Sequence, residues 1–313
     1  MLPRYITAVA VAAQIAQCNP LEAHVGVKVK DFPRGFRTCA FYDDFSEGKD
    51  SLPDPAKWTV DLGTQYSPNG PAQWGTGEIQ TYTDNRENIH ITPHQTLKIT
   101  PRRDKHGNWT SSRIETTAAW DFSCQKGERV RVEARIKLGG NPKNQSLGMW
   151  PAFWALGSEY RGNYWNWPAV GEIDILESVN GERKLWNVVH CGTNPGGVCN
   201  EPVGIGHVTE PFKKGVWHTL AWEAHRAFGK RQESMSWYLD GRRTWTLWKS
   251  EVGDEAAWEA MAGAGKMLLL NVAVGGGFPN GVAGITTPTK DTLDGEGASM
   301  EVDYVAVYKK ERW

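Results

Sequence analysis

Three carboxylates fall within the six residues Glu172-Ile173-Asp174-Ile175-Leu176-Glu177, a stretch otherwise apolar and strand-like. Negative charge concentrated on one face of a strand is costly unless something uses it. Side chains alternate along a strand, so Glu172 and Asp174 share a face while Ile173 and Ile175 turn to the core. Glu177 has the wrong parity for a regular strand, and an inserted residue, a β-bulge around Ile175-Leu176, is what would bring it to the same side. Two carboxyl groups flanking a glycosidic bond can hydrolyse it, one as nucleophile and the other as general acid, at a separation of about 5–5.5 Å in the retaining mechanism. Acids this close raise one another's cost of ionisation. At least one proton is therefore expected to stay in the cluster near neutral pH, with Glu177 its natural holder. Taken alone, the motif also fits a solvated amphipathic strand or a ligand set for a hard cation such as calcium.

The elements that must hold this strand read as antiparallel β-structure. Val130, Val132, Ala134, Ile136 and Leu138 alternate with Arg131, Glu133, Arg135 and Lys137, a half-buried strand. Ser234–Leu239 and Arg242–Trp248 flank Asp240-Gly241, a type I′ hairpin signal. The acidic strand, the Trp150 strand and Met267-Leu268-Leu269-Leu270 are more continuously apolar, as central strands packed on a second sheet would be. Helix signals are sparse, with one short helix expected over Asp254 to Met261, capped by Asp254. Gly275-Gly276-Gly277 lacks the Lys and Ser/Thr of a phosphate loop and reads as a tight backbone passage at a strand end. No G-x-S-x-G, H-E-x-x-H or C-x-x-C occurs. His90 and His94 have helical spacing, but Pro93 between them argues against a metal-bearing helix face.

The acidic motif and its flanks strongly resemble glycoside hydrolase family 16, the β-glucanases that include laminarinases. Trp150-Pro151-Ala152-Phe153-Trp154 is similar to that family's W-P-A-x-W segment. Trp217-His218-Thr219, Trp237-Tyr238-Leu239-Asp240-Gly241, Leu270-Asn271-Val272-Ala273-Val274-Gly275-Gly276 and Val302-Asp303-Tyr304-Val305-Ala306-Val307-Tyr308 are similar to its later strands, so the resemblance runs from about Phe41 to Tyr308. It implies an all-β jelly-roll sandwich of two curved antiparallel sheets, of the concanavalin A-like lectin and glucanase type, with the acidic strand on a concave face. By the same resemblance Glu172 is the nucleophile, Glu177 the acid/base, and Asp174 the group that keeps the two in register. Trp150, Trp154, Trp167, Glu78, Gln80, Arg113 and Asn271 are the substrate-cleft candidates. Gly77 stands where the family commonly has Asn. His190 is expected to face the acids and to hydrogen-bond Asp174 or Glu177. Asp303 is a candidate for a structural calcium of the kind some relatives carry, and no cofactor is required. Transglycosylation by the same fold and lectin-like binding are the rival functions, and retention of all three carboxylates argues against the binder.

Composition agrees with this picture. Thirty-six acidic against 35 basic residues leave a net charge of −1, which implies no polyanion-binding surface and argues against nucleic acid as a partner. Sixteen tryptophans are many for 313 residues, and several lie in polar loops such as Gly162–Trp167, where flat rings can stack on sugar C–H faces. Residues 1–20 read as a signal peptide, 21–40 as an irregular lead-in and 41–313 as one catalytic domain. A secreted monomer acting on β-glucan, without a membrane segment after cleavage, is the expectation. Export suits the cysteines. Of five, Cys18 would leave with the leader, Cys191 and Cys199 would bridge a turn-rich loop, and Cys39 and Cys124 would form the second bridge. A zinc site of His190, Cys191, Cys199 and His207 is the lesser alternative.

Overall fold

The computed structural model describes residues 32–48, 51–226 and 232–310, so the expected leader lies outside the described residues. Two large antiparallel sheets carry the fold. The site sheet has seven strands, numbered here along the chain within it: β1 Trp58–Asp61, β2 Arg113–Thr116, β3 Met149–Gly157, β4 Glu172–Glu177, β5 Leu185–His190, β6 Ile205–Thr209 and β7 Lys266–Val274. Their spatial order is β6-β5-β4-β3-β7-β2-β1, which puts the acidic strand β4 third from one edge, beside the Trp150 strand β3. The second sheet is built around Arg129–Leu138, which pairs with Trp217–His225 on one side and Met300–Lys310 on the other. The strand Thr38–Asp43 also pairs with Met300–Lys310, so among the described residues regular structure begins at Thr38, within the segment expected to be irregular.

Alternation decides which side of each sheet is dry. Val130, Val132, Ala134 and Ile136 of the second sheet share one buried cluster with Phe153, Ala155, Ile173, Ile175, Leu268, Leu270 and Val272 of the site sheet. Side chains of opposite parity on the site sheet therefore face away from this core, among them Trp150, Trp154, Glu172 and Asp174. The hairpin forms as expected, with Asp240 and Gly241 both at positive φ, as a type I′ turn requires. The short helix is Glu255–Trp258; the Asp254 carboxylate caps it by accepting the Ala257 amide at 2.8 Å, and it continues as a wider turn, Glu259–Gly263. A helix over Gly277–Ala283 has no sequence signal, because its glycines and Pro279 read as breakers; Pro279 is tolerated in the first turn, where no intrahelical N–H bond is lost.

One glycine sets the entry to β4. Gly171 has φ +74°, and a Cβ there would sit 2.7 Å from the Ala260 carbonyl, so no side chain fits where the chain turns into the acidic strand.

Candidate active site

Against β3, Leu176 pairs with Phe153 and Asp174 with Trp154, which leaves Ile175 as an extra residue. The ladder to β5 also slips by one between Ile173 and Glu177. The bulge thus lies where parity requires it, and Glu177 pairs with Ala152 on the same face as Glu172 and Asp174. A bulge strips carbonyls of their ladder partners, and buried carbonyls need replacements. Two side chains supply them: Trp237 reaches across the core from the second sheet to donate its indole N–H to the Asp174 carbonyl at 2.9 Å, and Asn187 of β5 donates to the Ile175 carbonyl at 2.8 Å. Trp237→Phe keeps the packing but orphans the Asp174 carbonyl; it is expected to cost about 1–3 kcal/mol of stability. It should also lower kcat through the displaced acids, and a urea titration with parallel kinetics checks both; unchanged stability and rate would show that the bulge holds itself.

Each glutamate receives one indole N–H. Trp167 donates to Glu172 Oε2 at 3.1 Å and Trp150 to Glu177 Oε1 at 2.8 Å. Asp174, between them, receives none on Oδ2, which is buried without a hydrogen-bond partner. Burial first, then the charges of Glu177, Glu172 and Glu201, push the Asp174 carboxyl well above the carboxylate range. Burial likewise raises Glu177 to about 7, against the Trp150 hydrogen bond and the charge of His190. Glu172 is raised by burial too, with His190 and the Trp167 N–H opposing. Glu177, the expected holder of the cluster's proton, is therefore not the only carboxyl raised there. Asp174, which sits among negative charges without a donor, is raised as well, and Glu177 keeps a proton up to about pH 7. The arrangement can present one ionised and one protonated glutamate on either side of a neutral aspartic acid.

The cleft candidates divide into two groups. Trp150, Trp154 and Trp167 are half-buried and reachable. Glu78 and Gln80 are not, contrary to expectation. Gln80 is wholly buried, and Glu78 spends its carboxylate on Thr76 Oγ1, Gln80 Nε2 and Tyr82 OH at 2.7–2.8 Å. They brace the floor from below: Asn271 donates to Tyr82 OH at 3.1 Å and accepts the Trp154 indole N–H at 2.8 Å. Arg113 is buried as well, paired with Asp61 at 3.1 Å and placed 4.6–5.1 Å from the ring centres of Tyr66, Trp74 and Trp154. Glu177, Ala152, Asn271, Arg113 and Asp61 form one cross-strand row on β4, β3, β7, β2 and β1. At the other end Phe278, from the unforeseen helix, stands edge-on between Trp150 and Trp186, with ring centres 5.5 and 5.6 Å away. Sequence reasoning missed Tyr66, Trp74, Trp186 and Phe278; aromatic residues in Gly- and Asn-rich loops were the available signal for Trp74 and Phe278.

His190 lies opposite Glu172 in the ladder, as expected, but its hydrogen bond goes elsewhere. Its Nδ1 is 2.7 Å from Glu201 Oε2, while its Nε2 stands 3.6 Å from Asp174 Oδ2, outside hydrogen-bond range. Glu201 carried no sequence signal. Cys191 and Cys199 form a disulfide, which removes both thiolates from the zinc alternative. The second expected bridge is not made: Cys39 is disulfide-bonded, whereas Cys124 is a free thiol that burial raises to about 12. The two sit in separate packed clusters, Cys39 with Phe36 and Tyr308, Cys124 in the main core. Asp303 is ion-paired with Arg135 at 2.7 Å. Among the described residues, the grouping able to offer three ligand atoms to a cation is Glu172, Asp174 and His190, within 4.8 Å of one another. These are the same acids that hydrolytic chemistry would occupy.

Comparison with known proteins agrees with the geometry. Residues 140–208, which include both the Trp150 strand and the acidic strand, match the family model described as XgeA-like, catalytic GH16 domain. The crystal structure of endo-1,3-beta-glucanase from Streptomyces sioyaensis superposes with a TM-score of 0.82 at 41% identity, covering 89% of this chain and 98% of that one. Glucan endo-1,3-beta-glucosidase of Cryptopygus antarcticus is 30% identical over 90% of this chain and 94% of its own. Glucan endo-1,3-beta-glucosidase A1 of Niallia circulans is 28% identical over 82% of this chain, which spans only 36% of that protein's length. Identity at this level over nearly the full length of both partners exceeds what a shared sandwich architecture alone produces, and the chain therefore belongs to glycoside hydrolase family 16.

Proposed function

We propose that the protein is a secreted endo-β-glucanase that cleaves β-1,3 or mixed β-1,3/1,4 glucan with retention of configuration. One observation carries the reading: the bulged strand presents two glutamates on the same face, each bound by an indole N–H, with a third, buried carboxyl between them whose Oδ2 has no hydrogen-bond partner. In the first step ionised Glu172 attacks the anomeric carbon while Glu177, still protonated up to about pH 7, gives its proton to the leaving oxygen. In the second step Glu177, now a carboxylate, removes a proton from water, which attacks the anomeric carbon and releases Glu172. Neutral Asp174 places no third charge between them, so the nucleophile and the acid keep opposite protonation states. No step requires a cofactor. The names of the relatives support a glucan substrate, and the aromatic residues at both ends of the acidic row supply rings suited to stacking on a sugar chain. The leader-like N-terminus and the Cys191–Cys199 bridge support export.

Reducing-end release from laminarin, lichenan and xyloglucan, with product sizing and proton NMR of the earliest product, tests the proposal. Laminarin or lichenan should yield internal-cleavage fragments whose new ends are the β-anomer before mutarotation. Early α-product would show inversion and sink the double-displacement mechanism; chain-length redistribution without new reducing ends would show transfer instead of hydrolysis.

A further inference from the structure

Glu201 is a buried carboxylate that the hydrolytic steps above do not use. Its side chain is fully shielded, and both oxygens are engaged: Oε2 at 2.7 Å from His190 Nδ1, and Oε1 accepting the Cys191 amide at 2.8 Å. Two residues beyond the loop that the Cys191–Cys199 disulfide closes, its backbone exchanges two hydrogen bonds, at 2.7 and 2.5 Å, with Gly196 inside that loop. The carboxylate is thus held from three directions, by the Cys191 amide, by the His190 ring and, through its backbone, by the disulfide-closed loop.

We propose that Glu201 is a positioning residue: clamped by the Cys191–Cys199 loop, it holds His190 as an imidazolium against the three acids of β4 and so fixes the charge under which Glu172 and Glu177 work. The proposal rests on the roles given to those glutamates above. His190 faces Glu172, Asp174 and Glu177 on β4, Glu201 from the loop, and the tilted ring of Trp167 at 5.5 Å. Burial alone would strip its proton; the Glu201 hydrogen bond and the charges of Glu172, Glu201 and Glu177 outweigh that and raise His190 above the ordinary histidine range. A buried carboxylate left without a cationic partner is strongly unfavourable, so Glu201 and protonated His190 support each other. The imidazolium in turn lowers both glutamates.

Glu201→Gln can still accept the Cys191 amide through its carbonyl oxygen and turn its NH2 toward Nδ1, which favours neutral imidazole. Once His190 is neutral, Glu172 and Glu177 both rise, so both limbs of the kcat/KM profile should move to higher pH by roughly one unit, with about a tenfold loss on the acidic limb. Imidazole nitrogen NMR of the full chain, with His190 identified by its absence in His190→Asn, should show His190 titrating lower in the variant than in the wild type. Cys191→Ser/Cys199→Ser, which frees the loop and keeps Glu201, should move the profile in the same direction. Lower activity with an unmoved profile and unmoved His190 titration would reduce Glu201 to a structural brace and overturn the proposal. An unmoved profile in the double serine variant alone would overturn the clamp. If the wild type proves inactive on every glucan, the glucanase reading fails, while the His190 titration still decides the role of Glu201.

Discussion

Glu172→Gln is expected to leave the fold and glucan binding intact and to lower kcat on the order of 10⁴-fold or more, about 5 kcal/mol of transition-state stabilisation. The amide has nearly the volume of the acid and can still accept the Trp167 indole N–H through its oxygen, so the local packing should survive. What it cannot do is form a glycosyl ester, and without that ester the first half-reaction has no product. Removing the charge from a raised carboxyl also relieves burial, so the melting temperature should stay level or rise. Isothermal titration with a glucan oligosaccharide, alongside steady-state kinetics, separates binding from chemistry. A variant that keeps more than about a tenth of the wild-type rate has lost under ~1.4 kcal/mol, and Glu172 would then not be the nucleophile.

Glu177→Ala should be nearly as severe on natural glucan, about 10³-fold or more in kcat, yet chemically rescuable. The nucleophile remains, so an aryl glycoside whose leaving group needs no proton should still load Glu172. With the base gone, deglycosylation stalls, and azide, which needs no deprotonation, should intercept the intermediate to give a β-glycosyl azide. The pH profile carries a second signature. Wild-type activity requires protonated Glu177 and should fall as pH rises through about 7, because burial holds that proton well beyond the usual carboxylate range. In the alanine variant that alkaline limb should vanish. Failure of azide to yield any glycosyl azide, with the alkaline limb preserved, would assign the acid/base to another residue.

Local pattern fixed much of the candidate site, because its three acids ride on a single strand. The period of two in Glu172-Ile173-Asp174-Ile175 separates charged from core faces, and the wrong parity of Glu177 demands the bulge that Ile175 provides. Asp240-Gly241 specified its hairpin and Asp254 its helix cap for the same reason: the backbone geometry each requires is set by neighbours in sequence. What sequence left open are choices among distant partners. The donor that satisfies the bulged carbonyl of Asp174 is Trp237 from the opposite sheet, and the group that anchors His190 is Glu201 in a loop. Gln80 and Glu78 share the alternation of a cleft-facing strand, yet tertiary packing put them under the floor, where they hold Tyr82 and Asn271. That Asp174 is raised along with Glu177 was also hidden from the sequence, because each flanking glutamate drew an indole N–H while the central carboxyl drew none. Periodicity and turn chemistry act over a few residues and can be read along the chain, whereas desolvation and partner choice depend on which segments the folded sheets bring together.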